Sequence, residues 1–244
     1  MRHPVRALVF GALAASVLLT GCQKVTDSGP QGPKDEDKAT FVVDYEGKAP
    51  TPAPEVPGAK PGGTIRVLKD SDFSHLDPQQ IYVSDALSHG GGLFHRGLTY
   101  YIQPSKPGDP LQLVGDLATN AGVTKDNGKT WTYTLRDGIK FDDGSAITSK
   151  DVAYGIARSF GPYGVQGPQY LQSALDPKRE YKGPQGGQLL PPGVTTPDDK
   201  TIVFTFNEPH AELPYLLSFP TSTPVPQAKD TNENYDRTFV SSGP

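Results

Sequence analysis

An α/β fold is expected from three features: an amphipathic strand at 131–135, a capped helix directly after it at 149–159, and a second strong strand at 201–206. Trp131, Tyr133 and Leu135 alternate with Thr132, Thr134 and Arg136, so one face of the first strand is apolar and the other polar. Asp137-Gly138 and Asp142-Asp143-Gly144 then supply turns. Thr148 with Asp151 three residues on is a capping-box pattern, with aspartate in place of the usual Glu or Gln, and it opens the helix. In the second strand Ile202, Phe204 and Phe206 share one face.

The chain begins with Arg2, His3 and Arg6, followed by a run of apolar or small residues at 7–19. At 1.5 Å per residue that run reaches about 20 Å, short of the roughly 30 Å hydrocarbon core, so a signal peptide over 1–21 is expected rather than a membrane span. Leu19-Thr20-Gly21-Cys22 resembles the bacterial lipobox, which implies a lipid anchor on Cys22 at the outer face of the cytoplasmic membrane. Cys22 is the one cysteine in the sequence, so no internal disulfide is expected. Residues 22–61 are rich in Pro, Gly and charge and are expected to be a disordered tether, with only a weak strand period at 40–45.

Gly62-Gly63 leads into an expected first strand at 64–68. Ser84 or Asp85 is placed to cap a helix reaching about Gly97, weakened by Gly90, Gly91 and Gly92. Asn127-Gly128 marks a hairpin between 121–125 and 129–135. Residues 161–197 read as loop, with Gly167-Pro168, Gly183-Pro184 and Pro191-Pro192 as breakers. A short helix is expected at 211–218, interrupted near its start by Pro214.

The order of residues from Lys129 through Trp131, Asp137-Gly138 and Asp142-Asp143-Gly144 to Asp151-Val152 resembles the signature of extracellular solute-binding proteins of ABC importers, the dipeptide, oligopeptide and nickel group (family 5). Gly62-Gly63-Thr64-Ile65-Arg66 running on to Leu76-Asp77-Pro78, and Ser241-Ser242-Gly243-Pro244, are similar to further segments of that family. The resemblance covers 62–244. It implies the first lobe of a two-lobed clamp of the type II periplasmic-binding kind: a mixed sheet with flanking helices and a β-rich subdomain. In that family the first lobe is completed by strands returning from the C-terminus, so the expectation is a partial solute-binding domain, a fragment or truncated product without its second lobe. An uncovered sheet edge and marginal stability follow.

Three motifs point toward other chemistry. Gly128-Lys129-Thr130 lacks the glycine of a phosphate-cradling loop, since Val123 stands there, and it opens a strand rather than a helix. His89-Gly90-Gly91-Gly92 resembles the oxyanion loop of lipases and esterases, but no Gly-x-Ser-x-Gly elbow accompanies it. His75, His89, His95 and His210 lack the i, i+3 or i, i+4 spacing of metal ligands. Asp142, Asp143 and Asp151 read as turn and cap residues, and Trp131 as core. No enzyme, cofactor or metal is expected, and the net charge of −4 argues against nucleic acid.

Binding is left to loop geometry. Ligands of open α/β folds sit beyond the carboxyl ends of strands. Lys69, Asp70, Ser71, Asp72 and Phe73 follow the expected first strand, and the resemblance places that loop in the cleft. Asp70 and Asp72 suit an amine, Ser71 a peptide backbone, and Phe73 an apolar group. Tyr82 and Tyr100 are further candidates. The expected function is a lipid-anchored receptor that captures a peptide or similar small polar solute for ABC permease subunits. The alternatives are a surface interaction lipoprotein that binds no solute, and a secreted hydrolase.

Overall fold

A computed structural model describes residues 40–50, 56–60, 62–104 and 106–243. Cys22, the signal peptide and most of the expected tether lie outside the described residues. The elements in chain order are β1 (Phe41–Lys48), α1 (Ser84–His89), a wide π turn (Gly90–Phe94), β2 (Thr99–Ile102), β3 (Leu111–Gly115), β4 (Val123–Thr124), β5 (Thr130–Thr134), α2 (Ser149–Arg158), α3 (Tyr170–Leu175), β6 (Val194–Thr195), β7 (Thr201–Thr205), α4 (Leu213–Leu216) and α5 (Tyr235–Thr238).

Two sheets form. The first is mixed, in the order β1-β3-β2, with β1 parallel and β2 antiparallel to β3. The second is antiparallel, in the order β4-β5-β7-β6, and Trp131 pairs with Phe204 and Tyr133 with Ile202 across its centre. The expected period-two faces of β5 and β7 are both buried, and the fold brings them together: Trp131, Tyr133, Leu135, Ile202, Phe204 and Phe206 lie in one core with Val152, Ile156, Leu171 and Leu217. Trp131 also donates through Nε1 to the carbonyls of Gly128 and His210, 3.1 Å from each, so its polar edge is satisfied. Asn127 and Gly128 turn the β4–β5 hairpin with φ of 57° and 89°, the left-handed conformation that Asn-Gly adopts readily.

Helix α2 starts at the capping box. Asp151 Oδ2 accepts from the Thr148 backbone N–H at 2.8 Å and from its hydroxyl at 2.7 Å. Asp143 shapes its own turn by accepting from Ser145 N at 2.8 Å, and Asp142 Oδ1 accepts from Ser241 N at 3.2 Å. The acidic cluster therefore serves turns and caps.

Several expectations are corrected. Residues 64–68 form no strand: Ile65 and Leu68 are 92% and 96% exposed, because alternation makes a strand possible but only a neighbouring ladder makes it form. The first strand is instead β1, inside the stretch read as tether, where the weak period at 40–45 was its signal. It pairs with β3, and the Tyr45 ring stacks near Trp131 at 6.3 Å. The helix from Ser84 stops at His89 and gives way to the π turn across the three glycines, with His95 already extended. Helix α3 lies in the segment expected to be loop, and Pro214 sits in the first turn of α4, where it starts the helix rather than interrupting it.

Candidate functional site

The loop at 69–73 is anchored at its C-terminal end and exposed at its tip. Asp77 and Arg158, both fully buried, form an ion pair of 2.7 Å, and Arg158 Nε lies 3.0 Å from Asp230 Oδ2. Asp236 accepts from the backbone N–H groups of Leu76 and Asp77 at 2.8 and 2.6 Å. His75 bridges Asp236 Oδ2 at 2.9 Å and Gln166 Oε1 at 3.0 Å. These bonds tie the segment that follows the loop to α2 and α5.

At the tip, Asp70, Ser71 and Asp72 are exposed. Ser71 Oγ donates to Asp70 Oδ1 at 3.2 Å, and Asp72 Oδ1 accepts from the Phe73 N–H at 2.8 Å. Lys69 and Phe73 are brought together, with Lys69 Nζ lying 3.4 Å from the Phe73 ring centroid and 2.6 Å from Asp85 Oδ2. That bond from Lys69 holds the Asp85 carboxyl below its ordinary range. The Phe73 ring is met edge-on by His89 at 5.3 Å. Tyr82 belongs to a second cluster, where its hydroxyl lies 2.7 Å from that of Tyr170 and the Tyr170 ring packs on Phe219 at 5.7 Å. Tyr82 and Tyr170 are 47% and 50% exposed, leaving two aromatic faces and one shared polar edge available to a partner.

Asp85, His89 and Tyr170 complete these clusters and were not among the binding candidates. In the sequence Asp85 is a candidate helix cap, His89 opens the motif that resembles an oxyanion loop, and Tyr170 lies in the stretch expected to be loop. Each histidine weighed as a metal ligand has another partner: His75 and His210 contact carboxylates, and His89 and His95 contact the carbonyls of Asp85 and Leu76. Chemically, the tip offers exposed carboxylates, a hydroxyl and a neutralised ammonium–aromatic pair, a set suited to holding a polar solute by hydrogen bonds and charge.

The fold and the sequence agree with one group of known proteins. The solved structure of clavulanic acid biosynthesis oligopeptide binding protein 2 superimposes with a TM-score of 0.67 at 38% identity, over 75% of this chain and 33% of that one. The oligopeptide-binding protein OppA of Bacillus subtilis is 28% identical over 64% of this chain and 29% of its own length. The periplasmic oligopeptide-binding protein OppA of Escherichia coli is 35% identical over 41% of this chain and 19% of its own length. The chain thus spans about a third or less of these relatives. Residues 112–244 match the family described as bacterial extracellular solute-binding proteins, family 5 Middle. With more than half of its length matched and the lobe architecture in agreement, the chain belongs to the family 5 extracellular solute-binding proteins.

Proposed function

We propose that this chain supplies part of the solute-capturing component of an ABC importer and takes a peptide or similar small polar solute. The observation that carries the reading is the build of the 69–73 loop: exposed carboxylates at Asp70 and Asp72, on a segment whose other end is fixed by the buried Asp77–Arg158–Asp230 network. A rigid base with an exposed polar tip is what a receptor loop requires, since affinity falls with every group that must be ordered on binding. Asp70 and Asp72 meet an amine, Ser71 bonds main-chain groups, Phe73 forms an apolar wall beside Lys69, and Tyr82 adds an aromatic contact from its separate cluster with Tyr170. No bond is made or broken in this role; binding energy drives closure of two lobes around the solute.

In the same reading, residues 1–21 are a lipoprotein signal peptide, Cys22 carries the lipid anchor, and 22–61 is a tether whose β1 portion docks on the domain at 62–244. The receptor stands on the outer face of the cytoplasmic membrane and hands its solute to permease subunits. Disrupting the gene and following uptake of a radiolabelled tripeptide tests the receptor role: uptake is expected to fall, and unchanged uptake of peptides across a range of lengths removes it. Fractionation of a Cys22→Ala variant tests the anchor, which fails if the variant still pellets with membranes.

A further inference from the structure

The loop and α1 together hold a primary ammonium group, and the chain supplies that group from within. Lys69 Nζ lies 2.6 Å from Asp85 Oδ2 and 3.4 Å from the centroid of the Phe73 ring, so a carboxylate and an aromatic face converge on one nitrogen. Both walls are themselves positioned. The second Asp85 oxygen accepts from the Ala86 N–H at 2.7 Å, and His89, 5.3 Å from Phe73 edge-on, is fixed through Nδ1 to the Asp85 carbonyl at 2.8 Å. The side chains of Lys69 and Asp85 are 19% and 36% exposed, which leaves the nitrogen within reach of a competitor from solvent.

We propose that Asp85 and Phe73 form a second ammonium subsite, separate from the exposed carboxylates of Asp70 and Asp72, and that Lys69 is its built-in occupant, which an amine of the solute displaces. The assignment rests on the reading of the 69–73 loop as solute-facing. A tethered occupant acts at an effective concentration of the order of millimolar. Free small amines well below that concentration do not displace it, and an amine enters when the rest of its solute is held by other contacts. The subsite selects amine-bearing peptides over isolated ammonium compounds.

The test titrates n-butylammonium chloride into the unaltered chain and into Lys69→Met, following the ring proton resonances of His89 and Phe73 by NMR, with n-butanol as the uncharged control. Saturable shifts are expected in Lys69→Met, at lower concentrations than in the unaltered chain, where the tethered ammonium competes. Butanol is expected to give none, and adding Asp85→Asn to remove the response. Lys69→Gln keeps a donor toward Asp85 and carries the same titration if Met unsettles the loop. No saturable shift in either variant, or a midpoint equal to that of the unaltered chain, overturns the subsite. Butylammonium binding without any effect of gene disruption on peptide uptake would remove the receptor role and leave the subsite standing. The reverse result would remove the subsite alone.

Discussion

Arg158 Nη1 lies 2.7 Å from Asp77 Oδ1, and neither side chain has any exposure to solvent. The same guanidinium reaches Asp230 Oδ2 through Nε at 3.0 Å, Gln79 Oε1 through Nη1 at 3.1 Å and the Asn232 carbonyl through Nη2 at 3.0 Å. The Tyr235 ring lies against it, with its centroid 4.8 Å from Cζ. Burial pulls against the charge on Arg158, but the two carboxylates outweigh it and raise its pKa. One planar cation thus joins the end of the candidate loop to α2 and to the segment before α5.

Arg158→Met is expected to be among the most damaging single changes in this chain. It leaves Asp77 and Asp230 buried without their cation, a loss of about 3–5 kcal/mol. Urea denaturation followed by tryptophan fluorescence measures it. Adding Asp77→Asn and Asp230→Asn to the Met variant should recover part of the loss, because the stranded charges rather than the missing contact carry most of it. A loss under about 1 kcal/mol for Arg158→Met would show that the network adds little.

What could be read before the structure follows a physical divide. The faces of Trp131, Tyr133 and Leu135 and of Ile202, Phe204 and Phe206 were legible because a strand prints its burial every second residue. Helix α2 was legible because Thr148 and Asp151 act locally. Helix α3 was not: six residues make fewer than two turns, and Gly167-Pro168 stands just before it. The strand pattern at 64–68 matched as well as that of β1 or better, yet only β1 finds a ladder. For the site, the loop was visible in sequence but its partners were not. Asp85 bonds Lys69 from 16 positions away, and Arg158 and Asp236 bond Asp77 and Leu76, just beyond the loop, from 81 and 160 away, through contacts that only the fold creates.

His75 faces two acceptors, Asp236 Oδ2 at 2.9 Å and Gln166 Oε1 at 3.0 Å, so the doubly protonated ring is the form that satisfies both. Burial works to lower its pKa, but the bonds to Asp236 and Gln166 and the charges of Asp236 and Asp77 raise it above 6.5. Asp236 moves the other way: burial opposes, while His75 and the Asp77 and Leu76 N–H groups hold it below 3.8. The His75 contribution is therefore complete below 6.5 and is lost as pH rises through the higher folded value. That of Asp236 is complete above 3.8 and is lost on strong acidification. His75→Gln should cost about 0.5–1 kcal/mol near pH 5.5 and less near pH 8.5, read from paired urea curves. A gap that widens with rising pH would contradict the charged pairing of His75 with Asp236.

His95 carries the opposite sign. It is 3% exposed, donates from Nε2 to the Leu76 carbonyl at 2.8 Å, and its Nδ1 has no partner among the described residues. Burial lowers its pKa to about 4, against the pull of the Leu76 carbonyl and the charge of Asp142. The unfolded chain binds the proton first as pH falls, so stability is lost between about 6.5 and 4, by roughly 3 kcal/mol. His95→Gln keeps a donor for Leu76 without the titration. Its stability should fall less between pH 7 and 4.5 than that of the unaltered chain. Parallel curves for the two proteins would show that His95 is not the group responsible.

Gly155 sets helix propensity against packing. In the middle of α2, replacing glycine by alanine gains about 1 kcal/mol wherever space allows. Here a Cβ would lie 2.2 Å from the Thr223 carbonyl oxygen and 3.3 Å from Gln79 Nε2, the donor to that same oxygen. The helix sits so close to the turn at Pro220–Ser222 that backbone, not a flexible side chain, would have to move. Such overpacking costs about 1–3 kcal/mol, so Gly155→Ala should destabilise despite its better propensity. The displaced Thr223 carbonyl would also draw Gln79 away from Arg158, so the damage should extend to the network behind the candidate loop. Amide hydrogen exchange at 76–81 reads that second effect separately from global stability. Gly155→Ala with unchanged or higher stability and unchanged exchange there would show that α2 is not seated this closely on the turn.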